Sequence, residues 1–117
     1  MALSEFEIKK IEKAGAAFLA KHRPPLNIRS KLDLGWRLEN QSVYIFEIQP
    51  VWNNPEEYQS LDIAKSTFVR SQGVWKLYWM RRDLKWHSYK PESQVTTIEQ
   101  AFNVVSQDQY GCFWLMT

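Results

Sequence analysis

The stretch "VWKLYWMRRDLKWHSYK", residues 74–90, decides how this chain is read. Trp75, Leu77 and Trp79 alternate with Lys76, Tyr78 and Met80. A period of two is the signature of a strand with two unlike faces. Asp83-Leu84 supplies a turn, and "KWHSY" returns as the partner strand until Pro91 ends it. A two-residue loop at Asp83-Leu84 sets Arg82 opposite Lys85, Arg81 opposite Trp86 and Met80 opposite His87. One face of the hairpin then carries Trp75, Leu77, Trp79 and Trp86, which reads as core. The other carries Lys76, Tyr78, Met80, Arg82, Lys85, His87 and Tyr89.

Working outward, the same period continues upstream. "LGWRLE" sets Leu34, Trp36 and Leu38 against Arg37 and Glu39, "NQS" turns the chain, and "VYIFEIQPVW" is β-branched and aromatic. Residues 53–61, "NNPEEYQSL", read as a longer loop. Another strand follows, and "SQGV" closes it with Gly73 free to take a positive φ. Strands are expected at about 33–40, 43–52, 62–70, 74–82 and 85–90. Short connections make them an antiparallel meander.

A helix is expected on each side of this meander. Ser4 and Glu7 have capping-box spacing, and Ile8, Ile11, Gly15, Phe18 and Leu19 recur with helical period, giving a helix over 4–22 that Pro24-Pro25 stops. Thr96 and Glu99 repeat the capping pattern before Ile98, Ala101, Phe102 and Val105, giving a helix over 97–108 with Gly111 as its C-cap. Each helix has one apolar stripe, so both are placed on one face of the sheet. The apolar tail, 111–117, is expected to dock on the body. The fold class is therefore α+β, a five-stranded antiparallel meander with N- and C-terminal helices on one face, in a single domain over 1–117. Trp75, Trp79 and Trp86 are expected to be buried near Ile11, Phe18 or Phe102.

Charge narrows the function classes. The net charge of the 117 residues is only +2, yet residues 65–90 hold seven Lys/Arg and one Asp. The excess is local, so a basic patch is the relevant unit. Lys65, Lys76, Tyr78, Arg82, Lys85, His87 and Tyr89 form the candidate binding face. Rings offer sequence-tolerant stacking and cations neutralise phosphates, which is the chemistry of nucleic-acid binding. The competing reading is a solvated sheet face, where Lys and Arg stems cover tyrosines.

Catalytic patterns are sparse. Only His22 and His87 are present, and Cys112 is the one cysteine, so no zinc spacing, disulfide or cofactor is expected. No nucleophile elbow or Gly-rich phosphate loop occurs. Glu12, Asp33 and Glu47 loosely resemble the carboxylates of a metal-dependent nuclease, but Gln49 stands where a lysine is usual. Glu47 otherwise reads as a solvent-facing strand carboxylate paired across strands with Arg37 or Lys65. No apolar run approaches membrane-spanning length and the N-terminus has no apolar leader, so a cytoplasmic protein is expected.

Trp75, Leu77, Tyr78, Trp79 and Arg81, followed by Trp86, His87 and Tyr89, together with Ile63-Ala64-Lys65 and residues 37–52, resemble a bacterial family catalogued as domain of unknown function 3024. The resemblance covers roughly residues 4–110. It implies a small stand-alone bacterial domain and no assigned activity. The reading is thus a non-enzymatic binding module with nucleic acid as its partner. A nuclease-like enzyme using Glu12, Asp33 and Glu47, and a protein-interaction or self-associating domain, are the alternatives. Self-association rests on Tyr44, Phe46 and Ile48, which alternate with Val43, Ile45 and Glu47 and leave apolar groups on both faces of one strand. A homodimer packed on the open face would cover them.

Overall fold

The computed structural model describes residues 3–114. Helix α1 (Glu5–His22) starts at a full capping box. The Glu7 amide donates to Ser4 Oγ, and the Ser4 amide donates to Glu7 Oε1 at 2.8 Å. Two otherwise orphaned amide donors are satisfied this way. Strands β1 (Asp33–Glu39), β2 (Ser42–Val51), β3 (Asn54–Val69), β4 (Val74–Met80) and β5 (Trp86–Ser88) follow in sheet order β1-β2-β3-β4-β5, all antiparallel. A short 3₁₀ turn (Lys90–Glu92) leads to β6 (Gln94–Val95), which also pairs with β4. The sheet thus has six strands, the last edge being built from two short pieces on the same side of β4. Helix α2 (Ile98–Gln107) closes the fold.

Both helices lie on one face. Ile11, Ala14 and Phe18 of α1 meet Ile98, Ala101, Phe102 and Val105 of α2 over Val43, Ile45, Ala64, Trp75 and Leu77 of the sheet. Phe18 stacks on Phe102, and the Trp36 indole meets Phe102 edge-on. Gly15 permits this closeness, because a Cβ there would overlap the Trp36 indole. Fully burying such rings contributes roughly 1.5–3 kcal/mol each, which is how a small domain holds together.

Several local readings are corrected. The capping box of α2 is Thr97 with Gln100, one residue beyond the Thr96–Glu99 pair. Its C-cap is Asp108, held at φ 39°, while Gly111 follows three residues later at φ 66°. The Asp108 carboxylate accepts from the amides of Cys112, Phe113 and Trp114 at 2.7–3.2 Å. It thereby turns the tail back onto the body. Phe113 packs against Tyr89, and Trp114 donates its indole N–H to the Val105 carbonyl. Residues 115–117 of the expected docked tail lie outside the described residues.

The segment 53–61 is largely strand rather than loop. β3 begins at Asn54, and Val51↔Asn54 closes a hairpin whose turn is Trp52-Asn53. β3 pairs with β4 only from Ala64 onward, so residues 54–62 form an arm with one paired edge. Among the described residues no core lies beneath this arm, and residues 52–60 are all exposed. That is why no apolar alternation marks it in the sequence.

The hairpin between β4 and β5 also differs. Leu84 N–H bonds the Arg81 carbonyl, Arg81 pairs with Lys85, and Leu84 sits at φ 61°. The loop has three residues, Arg82, Asp83 and Leu84, with the last in the left-handed conformation. One extra loop residue slips the register by one. Met80 now faces Trp86, Trp79 faces His87 and Tyr78 faces Ser88. Every β5 side chain changes face as a result.

Candidate functional site

The helix-free face of the sheet is where the basic and aromatic groups collect. Across β1, β2, β3 and β4 one rank reads Arg37, Tyr44, Lys65 and Tyr78. Alternation aims all four away from the helices. The Lys65 ammonium lies 5.9 Å from the Tyr44 ring centre and 5.5 Å from that of Tyr78, so it sits between two rings. The Arg37 guanidinium lies 4.4 Å from the Tyr44 ring centre. Such contacts are worth about 0.5–1 kcal/mol at exposed sites and orient the cations over the ring faces.

A β-bulge shapes this face. Ile45 pairs with Ala64 but Phe46 pairs with Asp62, so Ile63 is an extra residue in β3. The shift puts the Asp62 carboxylate within reach of Arg37, which grips it through two bonds of 2.8 and 2.9 Å. Glu39 takes a further bond from the same guanidinium. Asp62 first, then Glu39, raise the Arg37 pKa further above its already high value. Arg37 is therefore a fixed, partly neutralised cation. Lys65, Lys76, Arg82 and Lys85 make no ion pair among the described residues.

Trp86 belongs to this face, contrary to its sequence assignment. Its ring centre is 6.1 Å from that of Tyr44, two strands beyond its own pairing partner. The indole thus lies across β4 and β3, and Tyr44, Phe46, Tyr78, Met80 and Trp86 are all half-buried. The apolar exposure expected on one face of β2 falls on Tyr44, Phe46 and Ile48, and it is only partial. Trp75 is buried in the core, and Trp79 is half-buried beside it.

Of the sequence-derived residues, Lys65, Lys76 and Tyr78 share the open face, and Arg82 in the hairpin loop and Lys85 just after it stand exposed at its end. His87 and Tyr89 do not join them. His87 faces Trp79, and its Nε2 lies 2.8 Å from Asp83 Oδ2. That contact, first among its causes, holds the Asp83 carboxyl below its ordinary pKa. Tyr89 is only 2% exposed, packed on Phe113, and burial raises its phenol pKa. The one-residue slip of the hairpin accounts for both. Sequence reasoning missed Arg37, Tyr44 and Trp86 as members of the face. The signal for the first two was present, since a tight turn after Glu39 sets Arg37 opposite Tyr44.

The nuclease-like carboxylates are not brought together. Glu47 is fully buried on the helix side, opposite Leu34 and Leu61, and accepts a bond from Gln49 Nε2 at 2.8 Å. It is not the solvent-facing partner of Arg37 or Lys65. Asp33 is one residue out of step with Glu47 and is gripped by Arg23 through two bonds. Glu12 is exposed on α1. Among the described residues no three His, Cys, Asp or Glu side chains converge closely enough to hold a metal ion.

A family model described as Domain of unknown function (DUF3024) matches residues 3–115. This chain belongs to that family. The match takes in both helices and all six strands, so the family's unit is the whole fold described above. No curated protein and no solved structure matches the chain. No helix among the described residues is long and apolar enough to cross a membrane.

Proposed function

We propose that this domain is a non-enzymatic binding module and that the open sheet face takes single-stranded nucleic acid. The observation that carries this reading is the seating of Lys65 between the rings of Tyr44 and Tyr78 on a face that no helix of the described residues covers. Lys76 continues the basic line along β4, and Arg82 and Lys85 extend it into the hairpin loop. Cations without carboxylate partners exchange readily onto phosphates, whereas Arg37 is already committed to Asp62. Tyr78 and Trp86 supply ring edges and faces for stacking. The lone thiol, Cys112, is kept protonated by burial, which suits a reducing compartment such as the cytoplasm.

Fluorescence titration with a short single-stranded oligonucleotide at low salt tests this. Binding should weaken with salt at a slope near −0.7 per phosphate contacted. Lys65→Ala and Lys76→Ala should each reduce that slope by about one contact. Tyr78→Ala should weaken binding by roughly 1–3 kcal/mol and leave the slope unchanged. A folded protein that binds no oligonucleotide at low salt would reduce the face to a solvated sheet surface.

A further inference from the structure

The arm of β2 and β3 and the loop between β4 and β5 sit at the same end of the sheet. This follows from the meander, in which alternate turns share an end. The two differ in charge. The arm carries Glu56 and Glu57 and no Lys or Arg between Gln49 and Leu61, while the loop carries Arg81, Arg82 and Lys85 against Asp83 alone. Asp83 is already engaged by His87 and the Lys85 amide. Within the described residues no ion pair joins Glu56 or Glu57 to any cation, Arg82 has none, and Arg81 makes no direct ion pair, although its charge acts on Asp83.

The arm also exposes two rings. Trp52 is 91% exposed at the turn, and Tyr58 is exposed on the same hairpin. Beside the loop lies a recess of about 450 Å³, lined by Trp79, Met80, Arg81, Arg82 and Asp83. It is large enough for one aromatic side chain, and its lining pairs apolar surface with guanidinium groups that favour an indole face. An exposed tryptophan on an acidic element is thus matched by a recess on its neighbour lined by Trp79, Met80 and two arginines, one of them stacked on Trp79.

We propose that this end of the sheet is a two-fold interface between copies of the chain, with the arm of each seated in the recess of the other. Complementary patches lying side by side become self-complementary about a dyad, because each copy offers both halves at once. Trp52 is the anchor residue, Glu56 and Glu57 meet Arg81 and Arg82 of the second copy, and the contact is made twice. Pro50 and Pro55 lie on the arm and remove backbone donors, so open-ended strand addition is disfavoured and closed pairing of arms is retained. This interface shares Arg82 with the proposed nucleic-acid surface but takes in none of Lys65, Lys76 or Tyr78, and its test uses no nucleic acid.

Sedimentation of the full chain at micromolar concentration should give twice the 13.9 kDa chain mass. Trp52→Ala should weaken the dimer at least about ten-fold, the effect of a central aromatic anchor, with an unchanged far-UV spectrum since Trp52 is 91% exposed. Charge reversal supplies the decisive comparison. Glu56→Lys with Glu57→Lys, and separately Arg81→Glu with Arg82→Glu, should each give a monomer. Mixing the two double variants should restore a mixed dimer, because both arm-to-recess contacts are then again of opposite sign. A wild-type monomer at these concentrations would overturn the proposal. So would double variants that stay dimeric, or monomeric variants that fail to pair when mixed.

Discussion

At the scale of single residues, two core positions show opposite kinds of fit. Gly15 gives the Trp36 indole its place against α1, and no side chain is tolerated there without displacing the ring. Alanine is the better helix former by about 1 kcal/mol, so propensity alone favours Gly15→Ala. Overlap with a packed indole costs more, typically 1–3 kcal/mol. The expected outcome is a net loss of stability in denaturant unfolding, and a gain would show that Trp36 repacks freely. Ser66 is the reverse case. It is buried beneath α2, and its hydroxyl finds no hydrogen-bond partner among the described residues. An unsatisfied buried polar atom costs about 1–3 kcal/mol, so Ser66→Ala should stabilise the fold by roughly 1 kcal/mol once lost packing is subtracted. A destabilised variant would mean the hydroxyl has a bonded partner in solution. Glu47 shows what residue types conceal. It follows Val43 and Ile45 on the buried side of β2, and the alternation carried that signal. A carboxylate is almost never placed in a core on type alone, which is why the sequence reading turned it outward.

At the scale of elements, the legible parts were those with redundant signals. Helix α1 announced itself by a capping box, a 3.6-residue stripe and a double proline, and β4 by unbroken alternation. The β4–β5 loop was illegible because its deciding feature is a conformation rather than a composition. A three-residue loop ending in the left-handed region normally places glycine there, and this chain places Leu84. Reading two residues instead of three sent Trp86 to the core and Tyr89 to the surface, the opposite of their positions. The arm was illegible for a different reason. Alternation records the presence of a core beneath a strand, and the arm has none. The misread loop makes a prediction of its own. Leu84 is 81% exposed, so its side chain contributes little burial, while its backbone bears the cost of φ 61°. Leu84→Gly should therefore raise stability by about 0.5–1 kcal/mol. Thermal unfolding is the check, and a lower midpoint would indicate that Leu84 makes an apolar contact in solution.

At the scale of the whole molecule, the two layers are joined by charge at both ends of α1. Arg70, at the end of β3, reaches Glu7 in the first turn of α1 through bonds of 2.8 and 3.3 Å. Arg70 first, then the Ser4 amide of the capping box, pull the Glu7 pKa from 4.5 to about 2. Asp33, held mainly by Arg23, is lowered in the same sense at the other end of α1. A carboxylate whose folded pKa lies below its unfolded value binds protons more tightly when the chain unfolds. Its contribution is therefore complete above the unfolded value and is lost as pH falls through the folded one. For Glu7 that window runs from pH 4.5 down to about 2. Glutamine at this position keeps an acceptor for the Ser4 amide but cannot titrate. Across this window the melting temperature of the wild type should fall more steeply than that of Glu7→Gln. The wild type should lead at neutral pH, and the two curves should converge below about pH 2 as Glu7 becomes neutral. Parallel curves over the whole window would show that the contact between α1 and β3 does not hold in solution. High salt should narrow the gap at neutral pH, because the pair is partly exposed and its attraction is screened.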